Sequence, residues 1–219
     1  YLNGLKTSGF FLSFLRSLGI TVVSVSLILV ATSMTSWFIV RVKNRFTKAL
    51  YYLFTFSMIV PFQMVLYTMT FIVNRLNFDN VIGINIVYLG FGAGLAVFMF
   101  SGFIKAIPLE LEEAAEIDGC NPLQKFFLVV FPVLKPTAIT VAILNAMWIW
   151  NDYLLPSLLL GQAGKIRTLP IAVMGFVGSY VKQWDLILTS TLLAMLPVII
   201  LFIFAQKYII KGMVEGSIK

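Results

Sequence analysis

The segment IPLELEEAAEIDGCNPLQKFFLVVFP, from Ile107 to Pro132, carries five of the nine acidic residues in a chain of 219. Glu110, Glu112, Glu113, Glu116 and Asp118 fall within nine positions. Pro108 suits the first position of a helix, and carboxylates in the opening turns complement the helix dipole. Gly119 suits the C-terminal cap, where the backbone must turn left-handed. Asn121 can cap a second helix that has Pro122 in its first turn. The segment is therefore expected to form a helix, a tight turn and a second helix. Leu111, Ala114, Ala115 and Asp118 share one face by their spacing of three, four and seven. Two adjacent alanines leave a low surface that another protein could approach closely, with the surrounding carboxylates free to pair with its basic groups. The plainer alternative is a solvated acidic loop.

Outward from this segment the chain becomes strongly apolar. Sixty per cent of its residues are hydrophobic and 11% charged, with mean hydropathy +0.97, whereas soluble domains are about one quarter charged. Too few charges remain to cover a water-facing surface. Five stretches, Leu18–Val40, Leu50–Val73, Val81–Ile104, Thr137–Leu155 and Leu186–Ala205, approach the roughly 20 apolar residues that a helix needs to cross a bilayer. They do not alternate as barrel strands would, so each is expected to be a helix that satisfies its own backbone in lipid. Pro61 and Pro197 should bend the second and fifth, and the Gly90 and Gly94 spacing in the third allows close helix packing. The basic residues set the orientation. Arg41, Lys43, Arg45, Lys48, Lys105, Lys125, Lys135, Lys207, Lys211 and Lys219 fall on one side; Lys6, Arg16, Arg75, Lys165, Arg167 and Lys182 make up the rest of the 16. The richer side is cytoplasmic, and with it the acidic loop and the C-terminus. Five spans then leave Tyr1 outside with no cleavable leader, so a sixth, N-terminal helix is expected to precede them. The fold expected is an all-α membrane protein, a polytopic helical bundle. It is one transmembrane domain over residues 1–219, with the helix–turn–helix loop at residues 107–132.

The acidic segment resembles the signature of ABC importer permeases, which is Glu-Ala-Ala, three residues, Gly, nine residues, then Ile-x-Leu-Pro. Here it reads Glu113-Ala114-Ala115, three residues, Gly119, nine residues, then Val129-Val130-Phe131-Pro132. Val129 and Phe131 are the two conservative departures. The resemblance implies that Glu113, Ala114, Ala115, Asp118 and Gly119 belong to a coupling helix and turn that dock on a separate ATPase subunit. In it Glu113 meets a basic residue of the ATPase and Gly119 makes the turn. No GxxxxGK[ST] phosphate loop occurs, so the chain is expected to bind no cofactor of its own; ATP and Mg would be handled by that ATPase. Trp150-Asn151-Asp152-Tyr153, Arg167-Thr168-Leu169-Pro170 and the C-terminal Gln206–Gly212 and Glu215–Lys219 resemble stretches of the carbohydrate branch, in particular the smaller maltose-type permease. That resemblance implies a bacterial cytoplasmic (inner) membrane, a second permease in a heterodimer, two ATPase copies and an extracytoplasmic solute-binding protein.

Gln63, Asn145 and Asn151 are neutral hydrogen-bonding groups at membrane depth or its edge, and Trp148, Trp150 and Tyr153 add flat aromatic faces. With Asp152 they form the candidate substrate pathway, since amides suit hydroxyls and aromatic rings suit sugar faces. The same residues would equally serve as an interfacial aromatic belt and as interhelical hydrogen bonds. An importer of an amino acid, polyamine or phosphate would share the coupling loop. A channel or ion-coupled carrier should show a charge deep in a span, and none is evident. The chain has no histidine and one cysteine, Cys120, so neither a metal site nor enzymatic activity is expected. The basic residues lie between apolar stretches, which argues against nucleic acid.

Overall fold

The computed structural model describes residues 9–161, 166–176 and 184–217, the last from residue 204 onward as backbone. Tyr1, Lys6, Lys165, Lys182, Ile218 and Lys219, which entered the orientation and C-terminal readings above, lie outside those residues. Among the described residues every regular element is helical: α1 (Phe10–Arg41), α2 (Arg45–Ile59), α3 (Phe62–Arg75), α4 (Val81–Ile104), α5 (Glu110–Ile117), α6 (Pro122–Val133), α7 (Lys135–Asn151), α8 (Leu154–Leu159), α9 (Leu169–Met174) and α10 (Trp184–Ser217). This is an all-α membrane protein. Helices α1 and α4 are each long and apolar enough to cross a bilayer. The interrupted pairs α2 with α3 and α6 with α7 have that character if each is taken as one span, and α10 holds a shorter apolar stretch at Ile187–Ile200.

Two of the expected spans are interrupted in the structure. The second does not merely bend at Pro61. It stops at Ile59 and restarts at Phe62, with Val60 extended at φ −73° and ψ 117°, because the ring of a following proline clashes with a helical residue before it. The fourth ends at Asn151 and resumes as α8 after Asp152 and Tyr153. The fifth is the reverse case, since α10 runs through Pro197 without stopping.

The chain divides into two compact units, one drawn from the described parts of Tyr1–Val25, Phe62–Tyr88 and Asn145–Phe204, the other from Ser26–Pro61, Leu89–Leu144 and Ala205–Lys219. In the first, the Ser24 hydroxyl donates to the Asn85 side-chain oxygen at 2.6 Å, joining α1 to α4. The turn from α3 into α4 has Asn77 at φ 54°, and Phe78 N–H closes onto the Val73 carbonyl at 2.9 Å. In the second unit, Thr32 and Ser36 spend their hydroxyls mainly on the carbonyl four residues earlier in α1, which lets polar side chains sit buried in an apolar helix. Gly94 lets α2 come close: a β-carbon there would lie 2.8 Å from the Ser57 hydroxyl and 2.9 Å from the Phe54 carbonyl. Gly90, the other half of the expected small-residue pair, has nothing within 4 Å of that position. Close packing is thus a property of one glycine, not of the spacing.

Candidate functional site

The loop between α4 and α7 is built from local signals that the sequence carries plainly. Helix α5 opens at Glu110, two residues later than Pro108 suggests, and has Glu110, Glu112 and Glu113 in its first turn. It ends on a pair of bonds that cap the last carbonyls: Cys120 N–H to the Ala115 oxygen at 2.9 Å and Gly119 N–H to the Glu116 oxygen at 3.0 Å. That arrangement places the residue after the cap in the left-handed region, and Gly119 is there at φ 83°. Asn121 then starts α6 with a reciprocal capping box, each side chain of Asn121 and Gln124 accepting from the other's backbone N–H at 2.9 Å. Pro122 follows in the first turn. From Phe126 to Val130 the helix widens to i→i+5 bonding, closing with Phe131 N–H on the Phe126 oxygen. Pro132 lies just beyond, and its missing donor removes one normal rung from the ladder there.

Of the face expected from spacing, Leu111, Ala114 and Asp118 are exposed and Ala115 is buried. Glu112 is 3% exposed and Ala115 5% exposed, and both turn toward the rest of their unit. Glu113 and Ala114 are exposed, as is Ile117 at 87%. The surface open to a partner therefore includes Glu110, Glu113, Ala114 and Ile117, spaced by three, four and seven, with Leu111, Glu116 and Asp118 exposed beside them. Ala114 keeps the place expected of it, Asp118 is exposed at the cap, and Ala115 is an inward packing residue.

What turns the helix this way is Glu112. Its Oε1 accepts from Arg41 Nε at 2.7 Å and its Oε2 from Trp37 Nε1 at 2.9 Å, while Arg41 Nη2 also donates to the Ile107 carbonyl at 3.0 Å. Both carboxylate oxygens are thus used, and the buried charge is paired, as burial requires. Trp37 also lies 5.6 Å from the Phe126 ring, and Lys125 sits 5.9 Å over its face. Lys125 pairs with Glu116, so α5 and α6 are joined across the turn. Sequence reading counted Arg41 and Glu112 only as charges and did not name Trp37, so their meeting was not foreseen. The signal available was the i, i+4 placement of Trp37 and Arg41 at the end of α1, next to a surplus of acids with no stated partners.

In the other unit the candidate pathway residues separate into two groups. Trp150 is 7% exposed; its Nε1 donates to the Ala194 carbonyl at 3.1 Å, and its ring meets Phe14 edge-on at 5.5 Å. It binds α7 to α10 and α1. Asn145 is buried as well. Asp152 accepts from the Tyr88 hydroxyl at 3.0 Å and from Leu154 N–H at 2.9 Å, so it fixes the break between α7 and α8. Trp148, half-exposed, stands edge-on to Tyr88 at 5.4 Å. Asn151 and Tyr153 are exposed, and Gln63 is exposed on α3, with no hydrogen bond to the other pathway residues. A cavity of about 310 Å³ gathers Trp150, Asn151 and Tyr153 with Leu169 and Pro170 of α9 and Thr191 of α10. An adjoining one of about 360 Å³ takes Tyr153 and Arg167. The Trp-Asn-Asp-Tyr and Arg-Thr-Leu-Pro stretches, apart in sequence, thus meet. Leu169 N–H is held by the Ser17 hydroxyl at 2.8 Å.

A family model described as "Binding-protein-dependent transport system inner membrane component" matches residues 28–215. The probable starch degradation products transport system permease protein AmyC of Thermoanaerobacterium thermosulfurigenes is 40% identical over 207 residues, covering 94% of this chain and 75% of that protein. The melibiose/raffinose/stachyose import permease protein MelC of Bacillus subtilis is 37% identical, over 94% of this chain and 75% of that protein. The multiple sugar-binding transport system permease protein MsmG of Streptococcus mutans is 34% identical, over 94% and 76%. A crystal structure of a bacterial ABC transporter involved in the import of the acidic polysaccharide alginate matches with TM-score 0.75 and 24% identity, over 91% of this chain and 75% of that one; this likeness speaks for the fold. With a family model spanning most of its length and relatives of this identity, the chain belongs to the family of inner-membrane components of binding-protein-dependent transport systems.

Proposed function

We propose that this chain is the permease subunit of an ATP-driven importer for a sugar or oligosaccharide, forming half of a pathway whose other half is a second, related permease. Two ATPase subunits bind ATP and Mg and hydrolyse the nucleotide, and an extracytoplasmic binding protein delivers the solute. The chain itself catalyses nothing. The observation that carries the reading is the face of α5. Glu112 anchors the helix, so Glu113, Ala114 and Ile117 stand free to enter a cleft, one acidic and two apolar side chains on a single ridge. Sugar as the cargo is supported by the sugar-transport names of the relatives and by the exposed Trp148, Asn151 and Tyr153 in a chain whose pathway candidates are mostly neutral.

The test is to purify the chain with its co-purifying subunits, reconstitute the complex, and measure ATPase stimulation by binding proteins loaded with different solutes. Stimulation by a sugar-loaded protein is expected; stimulation only by an amino acid, polyamine or phosphate carrier would overturn the cargo. A transport-active complex with two copies of this chain and no second permease would overturn the heterodimer. Orientation has its own readout, since Cys120 is the one cysteine and is partly accessible in the loop. A membrane-impermeant maleimide should label it in inverted vesicles and not in intact cells. Glu113→Lys should abolish uptake at normal membrane levels, because like charges brought together at an interface cost several kcal/mol, on the order of 3 or more. Normal uptake by that variant would remove Glu113 from the contact.

A further inference from the structure

The second unit contains a cavity that the transport reading does not use. It lies where the loop between α1 and α2 meets the end of α4, has a volume of about 750 Å³, and is lined in part by Lys43, Arg45, Lys48 and Lys105. Among the described residues these four cations make no ion pair, whereas the fifth basic group at the rim, Arg41, is taken by Glu112. No carboxylate lines the cavity. Its inner wall includes Ser101, which is 0% exposed and whose hydroxyl has no hydrogen-bond partner. A buried hydroxyl left without a partner is costly, and this one is a donor at the cavity wall without an acceptor. The remaining wall is largely apolar and includes Tyr51, whose ring carries Lys105 at 5.4 Å.

We infer that this cavity binds the headgroup of an anionic phospholipid. Four cations without a carboxylate partner and one buried hydroxyl donor suit a phosphodiester, and the volume lies within the roughly 300–1,000 Å³ usual for small-molecule sites. The apolar wall, together with exposed Phe46 and Tyr52 on the same stretch of α2, selects a ligand that brings acyl chains rather than a soluble anion. Basic clusters at the cytoplasmic ends of membrane helices attract anionic lipid at about 1 kcal/mol for each Lys or Arg. The site takes its cytoplasmic side from the orientation proposed above. The Cys120 labelling tests that orientation separately, so the two can fail independently.

The experiment is native mass spectrometry of the purified chain with its co-purifying subunits, titrated with phosphatidylglycerol, with phosphatidylethanolamine, and with inorganic phosphate as competitor. Phosphatidylglycerol should be retained over phosphatidylethanolamine. Lys43→Gln, Lys48→Gln and Lys105→Gln should each weaken retention about fivefold, and together on the order of a hundredfold. The matching Lys→Arg triple should retain the lipid, which separates lost charge from lost fold. Lys135→Gln removes an exposed cation outside the cavity and should change retention less than twofold. Equal loss in the Lys135 variant would reduce the effect to general surface charge, and equal retention of the two lipids would overturn the proposal. Displacement of phosphatidylglycerol by inorganic phosphate would assign the cavity to a soluble anion and overturn the lipid. Loss of a co-purifying subunit from the glutamine triple with lipid retained would assign it to a protein, with the same result.

Discussion

Each unit holds one carboxylate against an aromatic donor, and the two differ in a single respect. Glu112 accepts from the Trp37 indole at 2.9 Å and is neutralised by Arg41. Asp152 accepts from the Tyr88 hydroxyl at 3.0 Å and from a backbone N–H, and among the described residues has no cation beside it. The first arrangement holds one helix against another, and a desolvated ion pair does that strongly only while both partners are present. The second shapes a chain break with neutral donors, so it tolerates loss of one contact better. Charge is used where a helix must not rotate, and neutral hydrogen bonds where a cavity wall must keep its shape.

The sharpest way to break this comparison is Glu112→Ala. It leaves Arg41 with one carbonyl and the Trp37 indole with no acceptor, and should cost about 3–5 kcal/mol, the usual loss when one partner of a buried pair is removed. Protease sensitivity of the loop and thermal unfolding should both report it; a cost no larger than that of Glu113→Ala would show that the tie does not orient α5. Next in size, Gly94→Ala should destabilise by about 1–3 kcal/mol through overpacking against α2. Gly90→Ala should be neutral or slightly stabilising, by at most about 1 kcal/mol. Gly119→Val should cost about 1–2 kcal/mol, all of it backbone strain, since a β-carbon there meets nothing within 4 Å. Gly119→Asn should be milder, because asparagine tolerates that conformation; equal, near-normal uptake in both would mean that the turn does not depend on glycine. Tyr88→Phe should cost about 1.5–3 kcal/mol, the range for one hydrogen bond to a carboxylate, and less than Glu112→Ala. A loss as large as that of Glu112→Ala would erase the distinction between the two carboxylates.

Features set by neighbouring residues were legible in the sequence. Val81–Ile104, the left-handed Gly119 and the Asn121 cap with Pro122 behind it all appear as read, because helix ends are decided within four or five residues. The inward face of α5 was not legible. Glu110, Glu112 and Glu113 look alike along the chain, and the one that is buried is selected by Arg41, 71 positions earlier. Which of the pathway candidates bond neighbouring helices was not legible for the same reason. Trp150 reads as an exposed interfacial aromatic until the Ala194 carbonyl on α10 comes into view as its partner. Pro61 and Pro197 show the limit from the other side: the same residue type ends one helix and passes through another, and no local rule separates them.

The Arg41 and Glu112 pair also has a timetable. At about 5–20 residues per second of synthesis, the 71 residues between them take roughly 4–14 s to appear. Through that interval the guanidinium lacks the Glu112 carboxylate with which it finally pairs. Under the proposed orientation it would in those seconds be one of the positive charges that keep the end of α1 on the cytoplasmic side. Only afterwards does the same charge become a paired, partly buried contact. With that orientation one residue would serve first as a topological signal and later as a structural contact, and a substitution such as Arg41→Met would remove both roles, at two different moments in the life of the chain.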